Sequence, residues 1–391
     1  MNLFAPLSGE TASALAGIPG LIDGIFPLPR RFRFNLPKDI AELSRLLTSG
    51  RGERGFSYLG RPNLLSAYLR FYLPWNLYRL CRLLPGLDLE LAPGDLVTDL
   101  GSGPFTLASA LWISRMELRA LPLEFQCVDR NGPALDAGGR FFRALAGESS
   151  PWKFRTFKGE LGANRLRPAK LVCAANVFNE MYGDVSRSRG DALVRNAGKS
   201  ARLLAAHADW NAAILVVEPG FPRCGEFLGL LRRALLESGH TALAPCPHDG
   251  HCPMLETPGT KRWCHFAFDT EDAPAKLKQL SLAAKLPKER AVASFLLMKR
   301  PKAVTPEPPK PDAAQPIPLR VISDAFSLPA GQLGRYACSP QGLVLLAGTQ
   351  ADIGPAVSGM LVAALVKAGR RDAKSGALLA ELAGRSVPHS T

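Results

Sequence analysis

Between Asp95 and Lys299, short uninterrupted apolar runs alternate with stretches of helical period, and this alternation constrains the fold more than any other feature of the chain. DLVTDLGSGPF, from Asp95, reads as a strand and a glycine turn. Thr106 to Leu121 reads as a helix, Glu124 to Asp129 (EFQCVD) as a second strand and Leu135 to Leu145 as a helix. Lys170 to Asn176 (KLVCAAN) and Ala212 to Glu218 (AAILVVE) are buried strands, each followed by a helix, Gly190 to Ala206 and Glu226 to Ser238. Thr241 to Cys246 and Ala291 to Lys299 (AVASFLLMK) read as two closing strands. Strands apolar on both faces need cover on both, so the pattern predicts an α/β domain over 91–300 with a parallel, Rossmann-like sheet.

The flanks read differently. Residues 1–90 are mostly helical and basic, and Ser66 to Leu84 carries apolar residues at helical spacing interrupted by Pro74. Residues 301–318 hold seven prolines in eighteen positions, the composition of a semi-extended linker. Beyond it RVISDAF, GRYACS and GLVLLAG predict a small β-hairpin over 319–347, with a turn near Gln341 and Gly342. Residues 348–391, rich in Ala, Gly, Lys and Arg, read as a tail able to form a helix.

The candidate ligand site begins at Asp99-Leu-Gly-Ser-Gly-Pro, after a strand and before a helix. Gly101 and Gly103 let the backbone turn tightly and a ligand approach with no Cβ in the way, and the next helix offers N-terminal amides. The dinucleotide pattern G-x-G-x-x-G fails at Thr106, and no Walker lysine is present. Asp99-x-Gly-x-Gly resembles the first motif of class I S-adenosylmethionine methyltransferases. Asp129, thirty residues on at the end of the second strand, stands where an acid accepts bonds from two ribose hydroxyls. Asp99, Gly101, Ser102, Gly103, Asp129 and Asn176 are therefore candidate donor-binding residues. Asn176-Val-Phe-Asn-Glu180 and Glu218-Pro-Gly220 end the strands bordering such a pocket. The Asp/Asn-Pro-Pro-aromatic motif of amino-methylating enzymes is missing, and Cys173 lies inside a strand, so no catalytic residue can be named.

Cys246-Pro-His-Asp-Gly-His-Cys252 is followed by Trp263-Cys264-His265-Phe266, and Cys338 lies past the proline stretch, a C-x5-C-x11-C-x73-C spacing. Three cysteines within nineteen residues, flanked by Pro, Gly and Trp, predict a metal-binding insertion over 246–268. Four cysteines suit zinc or an iron–sulfur cluster; the close C-x2-C pairs that favour zinc are absent. Cys81, Cys127, Cys173 and Cys224 have no partner by spacing.

A formal charge of +14 and a pI near 9.6 favour a polyanionic partner, RNA or DNA first. Arg30 to Phe34 (RRFRF) interleaves arginine with aromatics, a composition suited to phosphate contact and base stacking, or simply to an amphipathic entry segment. No run of apolar residues is long enough for a membrane span, and the N-terminus reads as neither secretory signal nor transit peptide, so a bacterial-type cytoplasm is expected.

Taken together, AYLRFYLPWNLYRL, DLGSGPF, ANVFNEMY, VVEPGFPRCGEFL, APCPHDGHCPM, WCHF, SFLLMKR and ACSPQG resemble the methyltransferase-like small-ribosomal-subunit assembly proteins of mitochondria and bacteria. The resemblance runs from Ala67 to Gly342; past it, the basic, aromatic-studded ending of that family is missing. It implies a class I methyltransferase fold, a 4Fe–4S cluster on Cys246, Cys252, Cys264 and Cys338, and association with small-subunit rRNA during assembly. The expected functions are an rRNA methyltransferase or a non-catalytic assembly factor with the same pocket and cluster. A methyltransferase for proteins or small molecules fits the charge less well.

Overall fold

A computed structural model describes residues 2–48, 58–182, 190–255, 262–301 and 315–383. Most of the expected linker, 302–314, and the end of the expected tail, 384–391, lie outside the described residues.

The N-terminal region is helical, as expected: α1 (Gly9–Ile25), α2 (Arg30–Arg33), α3 (Leu36–Leu47), α4 (Pro62–Ala67) and α5 (Leu73–Leu83). Ser8 caps α1 by accepting the Thr11 N–H at 3.2 Å. Pro74 does not break its helix. A π turn over Tyr68–Tyr72 joins α4 to α5, and the proline falls in the first turn of α5, where a missing N–H costs little.

The sheet holds β1 (Leu96–Leu100), β2 (Glu124–Asp129), β3 (Lys153–Lys158), β4 (Ala169–Ala175), β5 (Ala208–Pro219), β6 (Thr241–Ala244), β7 (Phe266–Asp269) and β8 (Arg290–Lys299). Its order is β3-β2-β1-β4-β5-β8-β6, with β7 beside β8. The pairs among β1 to β5 are parallel, whereas β8 runs antiparallel to β5, β6 and β7. This is the strand order of the class I methyltransferase fold, with β7 added by the cysteine-containing insertion. The connecting helices are α6 (Thr106–Ser114), α7 (Gly132–Ala146), α8 (Phe178–Met181), α9 (Gly190–His207), α10 (Pro222–Glu237) and α11 (Ala275–Ala283). One core packs α1, α5, α6 and α7 on one face of the sheet; a second packs α9 and α10 on the other.

Two details depart from expectation. The helix from Thr106 stops at Ser114, because Arg115 leaves helical geometry and its guanidinium caps the carbonyls of Leu84 and Leu87 at 3.2 and 3.0 Å. Lys153–Lys158 (KFRTFK) is an edge strand the apolar pattern missed: its cations face water while Phe154 stacks between Phe105 and Phe125.

The expected C-terminal hairpin is present but belongs to a larger sheet, to which the expected tail adds strands. β9 (Ile317–Val321), β10 (Phe326–Ser327), β11 (Leu333–Ser339), β12 (Gly342–Gly348), β13 (Leu361–Arg371) and β14 (Leu378–Leu382) form one sheet, with the short helix α12 (Gln350–Ile353) between β12 and β13. It closes on itself in the order β9-β11-β12-β14-β13-β9, a barrel around Leu319, Ala337, Val344, Leu346, Ala364 and Ala380. The Ala- and Lys-rich composition suggested a helix. Pairing wins because Ala364 and Ala380 face the barrel core and Gly369 and Gly376 take φ values of +71° at the irregular end of the hairpin.

The barrel is fastened to the first domain at several points. Arg290 pairs with Asp324, and Arg320 donates to the Pro245 carbonyl at 2.9 Å. Asn2 bridges to Met360, the Leu3 N–H donates to the Gly359 carbonyl at 3.3 Å, and the Phe4 ring lies against Phe266, Phe268 and Phe295.

Candidate methyl-donor cleft and cysteine cavity

The glycine turn follows β1, and its shape is dictated by what surrounds it. Gly101 has φ +72°, and a Cβ there would lie 2.4 Å from Val177 Cγ2; Gly103 has φ +49° and open space where a Cβ would stand. Asn176, closing β4, holds the left-handed conformation at φ +59°, unusual for a residue with a side chain. Between these turns lies a cleft of about 640 Å³, open to solvent, at the C-terminal ends of β1, β2 and β4. Gly101, Gly103, Asp129 and Asn176 line it.

Asp99 and Ser102 do not line the cleft. Both are buried beneath the turn, because β1 runs straight into the sheet interior at Asp99, whose register partners are Cys127 on β2 and Cys173 on β4. Burial, with Asp129 nearby, pushes the Asp99 carboxyl up to about 7, and its Oδ2 has no hydrogen-bond partner among the described residues. Asp129 uses both oxygens on the turn: Oδ2 accepts the Gly103 N–H at 2.9 Å and Oδ1 the Asn131 N–H at 2.8 Å. The Asn131 side chain bonds to the same carboxylate, which still lines the cleft and can accept from a ribose hydroxyl.

Sequence reasoning missed the wall supplied by the N-terminal helices. Tyr58 and Tyr68 both line the cleft, and the Tyr58 hydroxyl donates to Glu180 Oε1 at 3.0 Å. Burial raises the Tyr68 phenol above its ordinary range, so it stays a protonated donor. Tyr68 read only as part of the apolar helical pattern of Ser66 to Leu84, and no pattern singled out Tyr58.

Behind the cleft wall, Glu218 fixes the loop after β4. Its Oε1 accepts the N–H groups of Val177 and Phe178 at 3.1 and 2.8 Å; its Oε2 accepts the N–H and the side-chain amide of Asn179 at 3.1 and 2.9 Å. Cys173 is buried and its thiol pushed well up, so it offers no nucleophile.

A second cavity lies beside α10, lined by Cys246, Cys252, Cys264 and Cys338. The elements explain the convergence. Cys246 follows β6, Cys264 precedes β7, and Cys338 sits on β11 of the barrel. Gly225 and Gly229 lie one turn apart on α10; a Cβ on the first would stand 2.9 Å from Trp263, and on the second 3.1 Å from Leu255. Those glycines let the cysteine loop pack directly on the helix. The Trp263 indole donates to the Gly220 carbonyl at 3.0 Å and stacks on His265, while His248 Nε2 lies 3.3 Å from Cys338 Sγ.

The chemistry of the cavity can be tested against a metal. Among the described residues no group of three or more His, Cys, Asp or Glu is placed to hold a metal ion, so the expected metal-binding insertion is not shown. Arg232 and Arg320 are 3% and 6% exposed beside the cysteines, bonded to the carbonyls of Gly250, His248, Pro245 and Gly359, with no carboxylate partner among the described residues. Buried guanidinium groups call for anions. Burial holds the Cys246 thiol up at about 11 despite Arg232, and Cys264 and Cys338 are raised by burial and by the other cysteines. Bare thiols would leave the arginines uncompensated; a thiolate-ligated cluster with net negative charge fits them.

Among solved structures, magnesium protoporphyrin IX methyltransferase from Synechocystis PCC 6803 overlaps 59% of this chain and 83% of its own, at 11% identity and a TM-score of 0.34. A S-adenosylmethionine-dependent methyltransferase from Thiobacillus denitrificans overlaps 58% and 92%, at 12% and 0.34. Geranyl diphosphate C-methyltransferase from Streptomyces coelicolor overlaps 54% and 72%, at 11% and 0.30. Overlaps this loose carry no argument about the chain. No curated protein matches it. The family model described as mitochondrial small ribosomal subunit Rsm22 matches residues 88–322, which include the whole eight-stranded sheet and three of the four cavity cysteines, and the chain belongs to that family.

Proposed function

We propose that the chain binds S-adenosylmethionine in the Gly101–Asp129 cleft, carries a 4Fe–4S cluster on Cys246, Cys252, Cys264 and Cys338, and associates with small-subunit rRNA during ribosome assembly as a methyltransferase. The observation that carries the reading is the cleft, whose open glycine turn and two-oxygen acid suit the donor's methionine end and ribose. When bound, the donor supplies a methyl group on a sulfonium, open to direct displacement. The chain's own contribution is positioning: Asn176 and Glu180 border the face a target would enter, and Tyr58 orients Glu180.

A non-catalytic assembly factor is the second reading, favoured by one observation. The amides of Val177, Phe178 and Asn179, in the segment where amino-methylating enzymes carry their motif, all turn inward to Glu218. The deciding experiment incubates the purified protein with labelled methyl donor and immature small subunits and maps label on the rRNA. Label at a defined nucleotide supports the enzyme. Donor binding and subunit association without label support the assembly factor, and loss of either overturns both.

Two outcomes are expected on the way. Asp129→Ala should weaken donor binding about tenfold to a hundredfold by calorimetry, since a buried charge-assisted hydrogen bond contributes roughly 1.5–3 kcal/mol. Equal affinities would remove Asp129 from the site. Affinity for small-subunit rRNA should fall steeply with salt, with Arg30, Arg31 and Arg33 contributing; all three are exposed, beside Phe32 and Phe34 at 46% and 81% exposure. A binding constant flat from low to physiological salt would count against an RNA partner.

A further inference from the structure

The barrel has a surface that neither the cleft nor the cysteine cavity uses. Its closed order β9-β11-β12-β14-β13, the parallel pairing of β12 with β14, and α12 between β12 and β13 together make the topology of an OB-fold. Such barrels hold oligonucleotides across their second and third strands and between the loops joining strands one to two and four to five. Here much of the strand face is engaged. Cys338 on β11 turns into the cysteine cavity, and Tyr336 packs on Phe326 at 5.0 Å between ring centres.

The loop from the fourth strand to the fifth, at the end of the β13–β14 hairpin, is different. Arg370, Arg371 and Lys374 are all exposed within five residues. The intervening acid, Asp372, is turned onto the Ser375 N–H at 2.7 Å and the Ser375 hydroxyl at 2.5 Å. Arg262, exposed and two residues before Cys264, donates to the Ser375 carbonyl at 3.0 Å and adds a fourth cation to the same edge. Arg371 donates to the Gly376 carbonyl at 2.9 Å, so the loop presents its cations from a braced turn.

We infer that this hairpin edge, Arg370, Arg371 and Lys374 with Arg262, is a contact surface for the phosphate backbone of single-stranded RNA. The inference rests on the RNA reading above and assigns it mainly to the β13–β14 hairpin, beyond the family match that ends at residue 322, with Arg262 joining from inside it. Cations on a barrel rim track a flexible backbone with little regard to base sequence, and each phosphate left without its cation should lower the salt slope by about 0.7 for a single strand.

The test uses full-length protein carrying Arg370→Glu, Arg371→Glu and Lys374→Glu together, and fluorescence anisotropy with a fluorescein-labelled single-stranded RNA of mixed sequence. A control spreads the same charge change over Arg143, Arg233 and Lys276, which are exposed on separate helices. The hairpin variant should bind at least tenfold more weakly at physiological salt, with a salt slope lower by about two, while its calorimetric donor affinity is unchanged. Binding equal to wild type, or an equal loss in the control, overturns the inference while leaving subunit association standing. A wild type that neither binds the RNA nor sediments with small subunits overturns the RNA reading and this inference with it. A hairpin variant that also loses donor binding is judged by Arg370→Gln with Lys374→Gln, for which an unchanged RNA affinity is the overturning result.

Discussion

A Cys338→Ser protein is expected to emerge from anaerobic purification with little iron or sulfide and with its barrel loosened from the first domain. Three candidate ligands come from the segment between β6 and β7, and the fourth from β11, seventy-four positions past Cys264. Closing so long a loop costs entropy, and structural metal sites contribute folding energy that offsets it. With one ligand gone, Arg232 and Arg320 face a cavity without its anion, and trypsin should cut between Arg300 and Arg320 much faster than in wild type. The glycine-turn sheet should stay folded, since the cavity touches it only at α10 and β8, away from β1, β2 and the donor cleft, so donor binding by calorimetry should change less than twofold. Ribosomal association should fall. Absorbance of the broad iron–sulfur band, iron and sulfide analysis, and limited proteolysis decide the matter. A colourless wild type with one zinc and no sulfide would remove the cluster but keep the cross-link. Unchanged metal content and proteolysis in Cys338→Ser would remove both.

Glu218→Gln should be the most damaging single change near the donor cleft. The carboxylate accepts four hydrogen bonds, two on each oxygen. Whichever way a glutamine amide turns, its NH₂ faces two N–H donors, and each orphaned donor costs about 1–3 kcal/mol. Urea unfolding should show a loss of roughly 2–5 kcal/mol. Donor affinity should fall at least tenfold, because Val177, packed against Gly101, and Asn176, on the cleft wall, belong to the segment that Glu218 pins. The pH dependence follows from the same burial. Glu218 is held up at about 7 from 4.5, and Asp99 at about 7 from 3.8. Their folded values lie above the unfolded ones, so the folded state binds more protons in between. The stability they contribute is complete below about pH 4 and is lost as pH rises through about 7. The gap between wild type and Glu218→Gln should therefore narrow from pH 5 to pH 8. An equal gap at both would place the Glu218 titration outside this range.

How much of this could be read beforehand depended on whether the signal was local. The strands and glycine turn were legible because a buried parallel strand needs an unbroken apolar run, and Asp129 because it ends one. Asp99 and Ser102 were read as donor-binding from the motif, and the structure places both beneath the turn, because a motif gives spacing but not which residues the sheet buries. The cysteines were legible as a group, but that Arg232 and Arg320 flank them was not, because those arginines come from α10 and β9. The barrel was read only in part: RVISDAF, GRYACS and GLVLLAG marked three of its strands, while β13, β14 and the closure were missed. β13 and β14 are built largely from alanine and leucine, whose propensity favours helix until partners are available. Tyr58 and Tyr68 entered the cleft through tertiary packing alone.

The contact of Asn2 with Met360 makes assembly order a physical question for this chain. Residues 2–4 lie between the sheet and the barrel, and neither the Leu3 bond to Gly359 nor the Asn2 bridge can form until a strand some 350 positions later is in place. During synthesis the sheet can close while its first residues still wait for their partner, leaving the apolar faces of Phe266 and Phe268 uncovered by Phe4. Contacts of such sequence separation are slow to form, so the last step of folding is expected to be the closing of a ring, head against barrel, and not the growth of a core.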